Sequence, residues 1–409
     1  MKLLHTSDWH LGKHLNSFSR HSEQQEVLQE ICEIAEREQV NAVIVAGDLF
    51  DTYNPPTEST ELFYKTLKRL SNNGRRAVIA IAGNHDSPDR IEAPDPLARE
   101  CGIIFAGYPN SVVPTFELES GLKVLQSHEG FISLALPGVE EPLRILLTPY
   151  ANEFRLKTYL GREDSEEELR TVLQQSWQQT ADRCCDSTGV NILLSHLLMM
   201  RKGDELPEEP DDEKPILHVG GAQVIYTENI PLQVQYTALG HLHRKQRFNT
   251  DSTPVVYSGS PLSYSFSEAN QNKYVVVIDI SAGKPAVTNE IELTKGKRLL
   301  RKRSETMAEA LGWLAENPTS LVELTMATET YLTAEERKRL FAAHEGIVSL
   351  IPDVKNRGEV TGSSKHTIDL SKGMEDLFSE YFKHAKGQEP NENILKLFKE
   401  VLSEESDSQ

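Results

Sequence analysis

The chain opens on Lys2-Leu3-Leu4-His5-Thr6-Ser7-Asp8-Trp9-His10, an apolar run that ends in a carboxylate and an imidazole two residues apart. An apolar run of this length bounded by polar residues reads as a buried strand. On an extended backbone, side chains at i and i+2 point the same way, so Asp8 and His10 can reach one point from the strand's end. An oxygen and a nitrogen donor side by side suit a divalent transition metal. Alone, a D-x-H pair is a weak signal: Asp8 could cap a turn and His10 could be a satisfied surface residue. The same design recurs, however. Four further apolar runs end in Gly47-Asp48, in Gly83-Asn84-His85-Asp86, in Ser195-His196 and in Gly240-His241-Leu242-His243.

In an open α/β sheet the carboxyl ends of parallel strands crowd one edge, and sites form there. Seven or eight nitrogen and oxygen side chains converging on one edge exceed what one ion needs. They suffice for two ions with a carboxylate bridging. Glycines before Asp48, Asn84 and His241 would permit sharp turns that swing the next side chain inward. Two divalent ions about 3.5–4 Å apart make a shared water a hydroxide near neutral pH and polarise a bound phosphate, so that the hydroxide attacks phosphorus in line. Such chemistry needs no serine or cysteine nucleophile, and the sequence has no Gly-rich phosphate loop with its lysine.

The elements that must carry these residues follow from periodicity. Apolar positions Val27, Leu28, Ile31, Ile34 and Ala35 predict a helix from about 23 to 38, and a second runs from about 58 to 70. Between and after them lie the continuous apolar runs 41–46 and 77–82, which predict strands with both faces covered. Shorter strands and turns fill 100–150, and a polar helix spans about 163 to 183. The segment from Asp204 to Pro215 reads as an acidic solvated loop. Residues 304–316 and 334–344 predict helices, and 320–326 and 347–351 strands, in a small α/β unit without ligand-type clusters. Two amphipathic helices follow Gly373, lined by Met374, Leu377, Phe378, Tyr381 and Phe382 and by Ile394, Leu395, Leu397, Phe398, Val401 and Leu402. Their stripe could be core packing; the break before Gly373 and the acidic end favour a partner-docking module.

The 409 residues fit two or three domains, and 38% hydrophobic with 26% charged residues fits a soluble globular class. No run approaches bilayer length and the N-terminus lacks a signal-peptide pattern, so a cytoplasmic protein without membrane attachment is expected. Cys32, Cys101, Cys184 and Cys185 lack metal-knuckle spacing and read as reduced thiols. The net charge of −19 argues against a stand-alone electrostatic nucleic-acid binder. It leaves room for an enzyme whose metals or partner supply the positive charge.

The motifs D-W-H, G-D-x-F-D, G-N-H-D, S-H and G-H-x-H, in this order, resemble the calcineurin-like metallophosphoesterases. More closely, H-T-S-D-W-H-L-G-K, A-G-D-L-F-D-T, I-A-G-N-H-D-S, A-L-G-H-L-H-R and Y-S-G-S-P-L-S-Y-S-F-S-E resemble the SbcD family. These are nuclease subunits of bacterial SbcC–SbcD complexes in the double-strand-break-repair group. The resemblance is dense to about residue 275 and looser beyond. It implies an α/β fold: a two-sheet metallophosphoesterase sandwich flanked by helices, over 1–285. A small α/β capping domain would span 286–370, and a helical partner-binding segment with an acidic tail 371–409.

The resemblance also implies roles. One ion would be held by Asp8, His10, Asp48 and His243, the other by Asp48, Asn84, His196 and His241, with Asp48 bridging. His85 would stabilise the transition state or protonate the leaving oxygen, and Asp86 would orient His85. The donor set suits Mn, Fe or Zn; the family implies two Mn2+ ions. The implied activity is a metal-dependent 3′-to-5′ double-strand exonuclease and single-strand endonuclease that opens hairpins, serving DNA recombination, replication and repair. The implied partners are the SbcC ATPase, DNA, and a second copy of the nuclease chain in a heterotetramer. The alternative is a phosphoesterase for small phosphodiesters or phosphoproteins. Serine/threonine phosphatases of this fold carry Arg-Gly after the second aspartate of motif two, whereas Asp51 here precedes Thr52-Tyr53. Asp51 itself could support the site or cap a loop, Ser258-Gly259-Ser260 could bind phosphate or form a turn, and His5 reads as a buried structural histidine. His14 and His21 read as surface residues.

Overall fold

In the computed structural model the described residues are 1–156, 165–204, 224–249, 253–328 and 332–354, with 377–379, 382, 395 and 398. They fall into two compact units, Met1–Lys355 and Asn356–Gln409. The first is built on two sheets. In the first sheet Val287–Leu293, Lys273–Asp279, Lys2–Thr6, Ala42–Ala46, Ala77–Ile81 and Ile103–Ala106 lie side by side in that order. The four strands from Lys2–Thr6 onward are mutually parallel. The second sheet orders Gln246–Asn249, Pro254–Tyr257, Tyr236–Gly240, Val190–His196, Leu143–Thr148, Phe131–Ala135 and Lys123–His128. Its central strands are parallel too.

The continuous apolar strands have a direct cause. Alternate residues go to opposite faces, and both faces of both sheets are covered. Leu3, Ile44 and Ile79 meet Ile192, Leu194 and Ala238 between the sheets. Leu4, Val43 and Val78 turn outward onto Val27, Leu28, Ile31, Phe63 and Leu67. These last belong to the helices His21–Arg37 and Thr57–Leu70. On the far side Leu193, Leu239 and Tyr257 pack on Leu169, Leu173 and Trp177 of the helix Ser165–Cys184. The layers are therefore helix, sheet, sheet, helix.

A third, parallel sheet holds Leu299–Ser304, Leu321–Thr328 and Ile347–Val354, with the helices Met307–Glu316 and Ala334–Ala343 between them. Thr333 and Glu336 form a reciprocal capping box at the start of the latter helix. The expected boundary at 285/286 moves, because Val287–Leu293 pairs along Lys273–Asp279 and completes the first sheet. The chain leaves the sandwich only after Leu293. The acidic loop expected at 204–215 lies, past Asp204, outside the described residues, as does most of the expected pair of terminal helices. Within the second unit the rings of Phe378 and Phe398 stack with centroids 4.0 Å apart. Among the described residues no helix is long and apolar enough to cross a membrane.

His5 ties the two sheets together. Its Nε2 lies 3.1 Å from the Leu239 carbonyl and its Nδ1 3.0 Å from the Tyr236 hydroxyl. A carbonyl can only accept, so the proton sits on Nε2 and Nδ1 accepts from the tyrosine. Burial holds this imidazole down to about 3. The unfolded chain takes up a proton near 6.5 that the folded chain refuses, so stability rises with pH across that window. The contribution is complete above pH 6.5 and lost on acidification toward 3. Thermal unfolding of metal-free protein at pH 7.5 and 4.5 should show a smaller acid loss in His5→Gln than in wild type, although His5→Gln is the less stable protein at pH 7.5.

Candidate metal centre

Five parallel strands from the two sheets deliver their carboxyl ends to one place. The loop after Lys2–Thr6 runs beside the loop after Ala42–Ala46 and is laced to it. Asp8 N–H donates to the Gly47 carbonyl at 3.0 Å, His10 N–H to the Asp48 carbonyl at 3.0 Å, and Leu11 N–H to the Leu49 carbonyl at 3.1 Å. The expected strand-end geometry needs correcting here. The strand stops at Thr6, and Asp8 (φ 53°) and His10 (φ 43°) are both left-handed, as are Asp48 (φ 47°) and His241 (φ 105°). They converge by turning, not by alternating along an extended chain. Left-handed backbone at non-glycine residues is costly and persists where surrounding structure holds it, typically at functional sites.

The glycines divide in the same way. Gly47 (φ +84°) makes the expected turn. Gly83 and Gly240 instead permit close approach. A Cβ on Gly83 would stand 2.1 Å from Asp48 Oδ1, and one on Gly240 1.8 Å from the Ala46 carbonyl oxygen.

The expected donors fall into two clusters, and a third group, His10 with Asp51 and His85, lies beside the first. Ligand atoms of Asp8, His10 and His243 lie within 4.8 Å of one another, and so do those of Asp48, His196 and His241. Asp48 Oδ2 stands between the clusters, 3.6 Å from His10 Nε2 and 3.4 Å from His196 Nε2. Asn84 Oδ1 joins the second cluster, 3.0 Å from both His196 Nε2 and His241 Nδ1. In the first, His10 Nε2 faces His243 Nε2 at 2.9 Å.

These contacts point electron-rich atoms at one another. His196 Nδ1 donates to the Ala46 carbonyl at 2.8 Å, so a neutral ring turns its Nε2 lone pair toward the oxygens of Asn84 and Asp48. Acceptors facing acceptors call for a proton or a cation among them. The fold by itself favours a proton: burial acts to lower His196, but the Asp48 charge overrides it and lifts the imidazole to about 9. Burial acts to raise Asp48, yet His196, His85 and His10 hold its carboxyl well below the usual range. Burial raises Asp8 to about 6 against His196 and His243. Burial also drops His10 and His241 to about 3, leaving both neutral and able to ligate. Buried imidazoles, carboxylates and one amide oxygen are the donor set of a borderline divalent ion, and a carbonyl on the distal ring nitrogen is the usual orienting contact of a ligating histidine.

Around the clusters lies a set of supporting contacts. Ser7 Oγ donates to Asp8 Oδ2 at 2.5 Å and meets Ser258 Oγ at 2.8 Å. Ser260 Oγ donates to the Leu262 carbonyl at 2.8 Å. The serines left open between phosphate binding and a turn are thus buried and used internally. Asp51 lies 3.6 Å from His10 Nδ1 and pairs with Lys13 at 2.9 Å. His14 is exposed and His21 half-buried.

Asp86 departs from its expected role. Its carboxylate accepts from the N–H groups of Gly83, Leu49 and Phe50 at 2.8, 3.0 and 2.9 Å, which pins the Asp48 loop to the Asn84 turn. The contact on His85 Nδ1 is the Asp51 carbonyl, at 2.9 Å. His85 N–H in turn donates to Asp48 Oδ1 at 2.9 Å.

Three supports carried no signal in the sequence. Gln24 Nε2 donates to the His10 carbonyl at 2.8 Å. Lys273, buried, donates to the His243 carbonyl and Ser260 Oγ at 3.0 Å each and pairs with Glu268. Arg155 donates to the carbonyls of Gly83 and Asp86 at 2.8 Å each, spanning the Asn84-His85 turn. Each acts on a backbone carbonyl from a distant part of the chain, a relation no local spacing encodes.

Residues 1–245 match the family described as calcineurin-like phosphoesterase. The chain belongs to that family. It is 36% identical to the SbcD component of the SbcCD nuclease of Bacillus subtilis (strain 168), with 100% of both chains covered. It is 32% identical to the SbcD component of Rhodobacter capsulatus SbcCD nuclease over 74% of this chain and 71% of the relative. The SbcD component of the Escherichia coli (strain K12) nuclease is 28% identical, with 83% and 81% covered. Within the calcineurin-like phosphoesterases the chain thus falls in the SbcD branch, and its clustered His and Asp side chains could hold the pair of metal ions such a site suggests.

The Asp86 contacts yield a test. Asp86→Ala strands three buried N–H donors, each worth about 1–3 kcal/mol when unpaired. Urea unfolding should show a loss of that order and metal titration a weaker affinity. Unchanged stability and affinity, with only an altered pH–rate profile, would instead mean that Asp86 acts through His85.

Proposed function

We propose that the chain is the metal-dependent nuclease component of an SbcC–SbcD complex, hydrolysing DNA phosphodiesters. The observation that carries this is the full-length likeness to the Bacillus subtilis SbcD nuclease chain, which continues far beyond the phosphoesterase region. A hydrolase of small esters has no evident use for that extension. The lack of Arg-Gly after Asp51 also counts against the phosphoprotein branch.

Asp8, His10, Asp48 and His243 would hold one ion and Asp48, Asn84, His196 and His241 the other, with Asp48 serving both. The split is supported by the two donor clusters and by the place of Asp48 between them. The donor set suits Mn, Fe or Zn, and of these the family favours manganese. When bound, the pair supplies an activated water and positive charge for the non-bridging phosphate oxygens. The chain's own residues do the rest. The Asp51 carbonyl takes the proton on His85 Nδ1 and leaves Nε2 to face the substrate, where it donates to the phosphoryl or leaving oxygen when the ring carries its second proton. The His85 amide holds Asp48 Oδ1 in place while this occurs.

The α/β unit after Leu293 caps the nuclease and orients the duplex, and 371–409 docks the SbcC ATPase. The chain pairs with a second copy, acts in the cytoplasm as 3′-to-5′ exonuclease and as endonuclease on hairpins, and serves DNA recombination, replication and repair. A chain of net charge −19 gains from a partner that supplies part of the DNA grip.

The test compares wild type, His85→Ala and His241→Ala with Mn2+ on an end-labelled DNA hairpin and on bis-p-nitrophenyl phosphate. His85→Ala should bind two ions yet lose about 10²–10⁴ in rate, the usual worth of a positioned proton donor. His241→Ala should lose an ion and both activities. If wild type cuts only the small ester, even with SbcC and ATP present, the nuclease proposal falls and the small-phosphodiester alternative replaces it.

A further inference from the structure

Few large apolar side chains are exposed among the described residues, and three of these are aromatic: Tyr53 at 49%, Phe154 at 79% and Phe341 at 48%. Phe341 lies on the helix Ala334–Ala343 of the small α/β unit. The other two sit on segments that hold the metal centre. Tyr53 follows Asp51, whose carbonyl holds His85. Phe154 lies in the short helix Glu153–Leu156, directly before Arg155.

A file of contacts leads outward from the centre to Tyr53. The Tyr150 ring lies over the His241 ring at 6.4 Å and an interplanar angle of 30°. The Arg155 guanidinium sits over the Tyr150 ring, 5.1 Å from its centroid. The same guanidinium, buried, donates to the Tyr53 hydroxyl at 3.3 Å while it spans the Gly83 and Asp86 carbonyls. One end of the Tyr53 ring is therefore anchored to the turn bearing Asn84 and His85, while about half of the residue faces solvent. An exposed aromatic without an anchor would lose rotamer freedom on binding; this one has already lost it.

We infer that Tyr53, held by Arg155, forms a stacking subsite for an unpaired nucleobase next to the scissile phosphate. The inference rests on DNA being the substrate and adds how the substrate is held. Base–aromatic stacking is indifferent to sequence and needs no positive charge. It selects ends, hairpin loops and single strands, where a base is free to leave its stack, over intact duplex.

The experiment uses the full-length protein with Mn2+. Substrates are a single-stranded oligonucleotide and the same oligonucleotide with an abasic residue beside the cleavage site. Wild type should prefer the base-bearing strand, and Tyr53→Ala should lower kcat/KM on it about tenfold to a hundredfold. On the abasic strand wild type and variants should converge. Tyr53→Phe, which keeps the ring, should retain most of the preference. A second readout needs no turnover: 2-aminopurine at that position should be quenched on binding to wild type and not to Tyr53→Ala. Equal losses on the two strands, or equal quenching, would overturn the subsite while leaving the nuclease intact. Hydrolysis of bis-p-nitrophenyl phosphate by a wild type that cuts neither strand, even with SbcC and ATP present, would overturn the DNA assignment itself, and the subsite with it.

Discussion

One buried carboxylate organises this molecule. Asp48 stands between two ligand clusters, takes the His85 amide on one oxygen, and faces His10 and His196 with the other. Its backbone carbonyl takes the His10 amide. Residues from both sheets must therefore arrive within a few ångströms of a single side chain. That requirement fixes how the sheets pack. Gly240 of the second sheet lies so close to the Ala46 carbonyl of the first that no side chain fits between them. His196 makes its own hydrogen bond to the same carbonyl. The apolar layer between the sheets could tolerate small slips; these contacts cannot.

A polar centre of this kind would unfold a protein if it were unsupported. Buried polar groups are tolerated only when satisfied, and partly satisfied networks are worse than apolar ones. Here the supports reach in from several separate parts of the fold. Gln24 comes from the first helix, Lys273 from a strand of the first sheet, Arg155 from a short helix after the second, and Asp86 from the turn itself. Most of them hold backbone rather than ligand side chains. What they hold is backbone at His10, at His243, after Asp48 and through the Asn84-His85 turn, and a bound metal ion would satisfy the facing lone pairs.

Much of this was legible in the sequence because of where ligands stand in it. A strand buried on both faces reads as a continuous apolar run, and its end is marked by the first polar residue. Asp8, Asp48, Asn84, His196 and His241 all occupy such ends, so the convergence of five runs could be read without a structure. The conformations could not. The sequence shows Asp8 and His10 two residues apart, which extended geometry also explains, and only the dihedral angles separate the two causes. Gly83 and Gly240 likewise look like turn glycines, although what they avoid is a distant carbonyl or carboxylate. The contacts of Asp86 escaped for a related reason. Adjacency to His85 suggested a partner, while its carboxylate points back to amides of a loop some 35 residues earlier. Side-chain-to-backbone contacts between remote segments leave no periodic trace.

Charge sets a last constraint on how such a chain can hold DNA. Its most basic stretch, Lys295 to Arg303, looks like a phosphate-binding strip. In the fold Arg301 pairs with Glu323, Lys302 with Glu309 and Arg303 with Asp353. Surface pairs of this kind contribute little stability, but they offset half of the strip from which a phosphate backbone would draw its attraction. The basic side chains nearest the centre are similarly occupied: Lys13 by Asp51, and Arg155 by carbonyls. Long-range attraction to a polyanion must then come from bound metal ions or from another protein chain. What the chain can offer by itself is short-range contact that does not depend on charge, and at the rim of the centre that contact is aromatic.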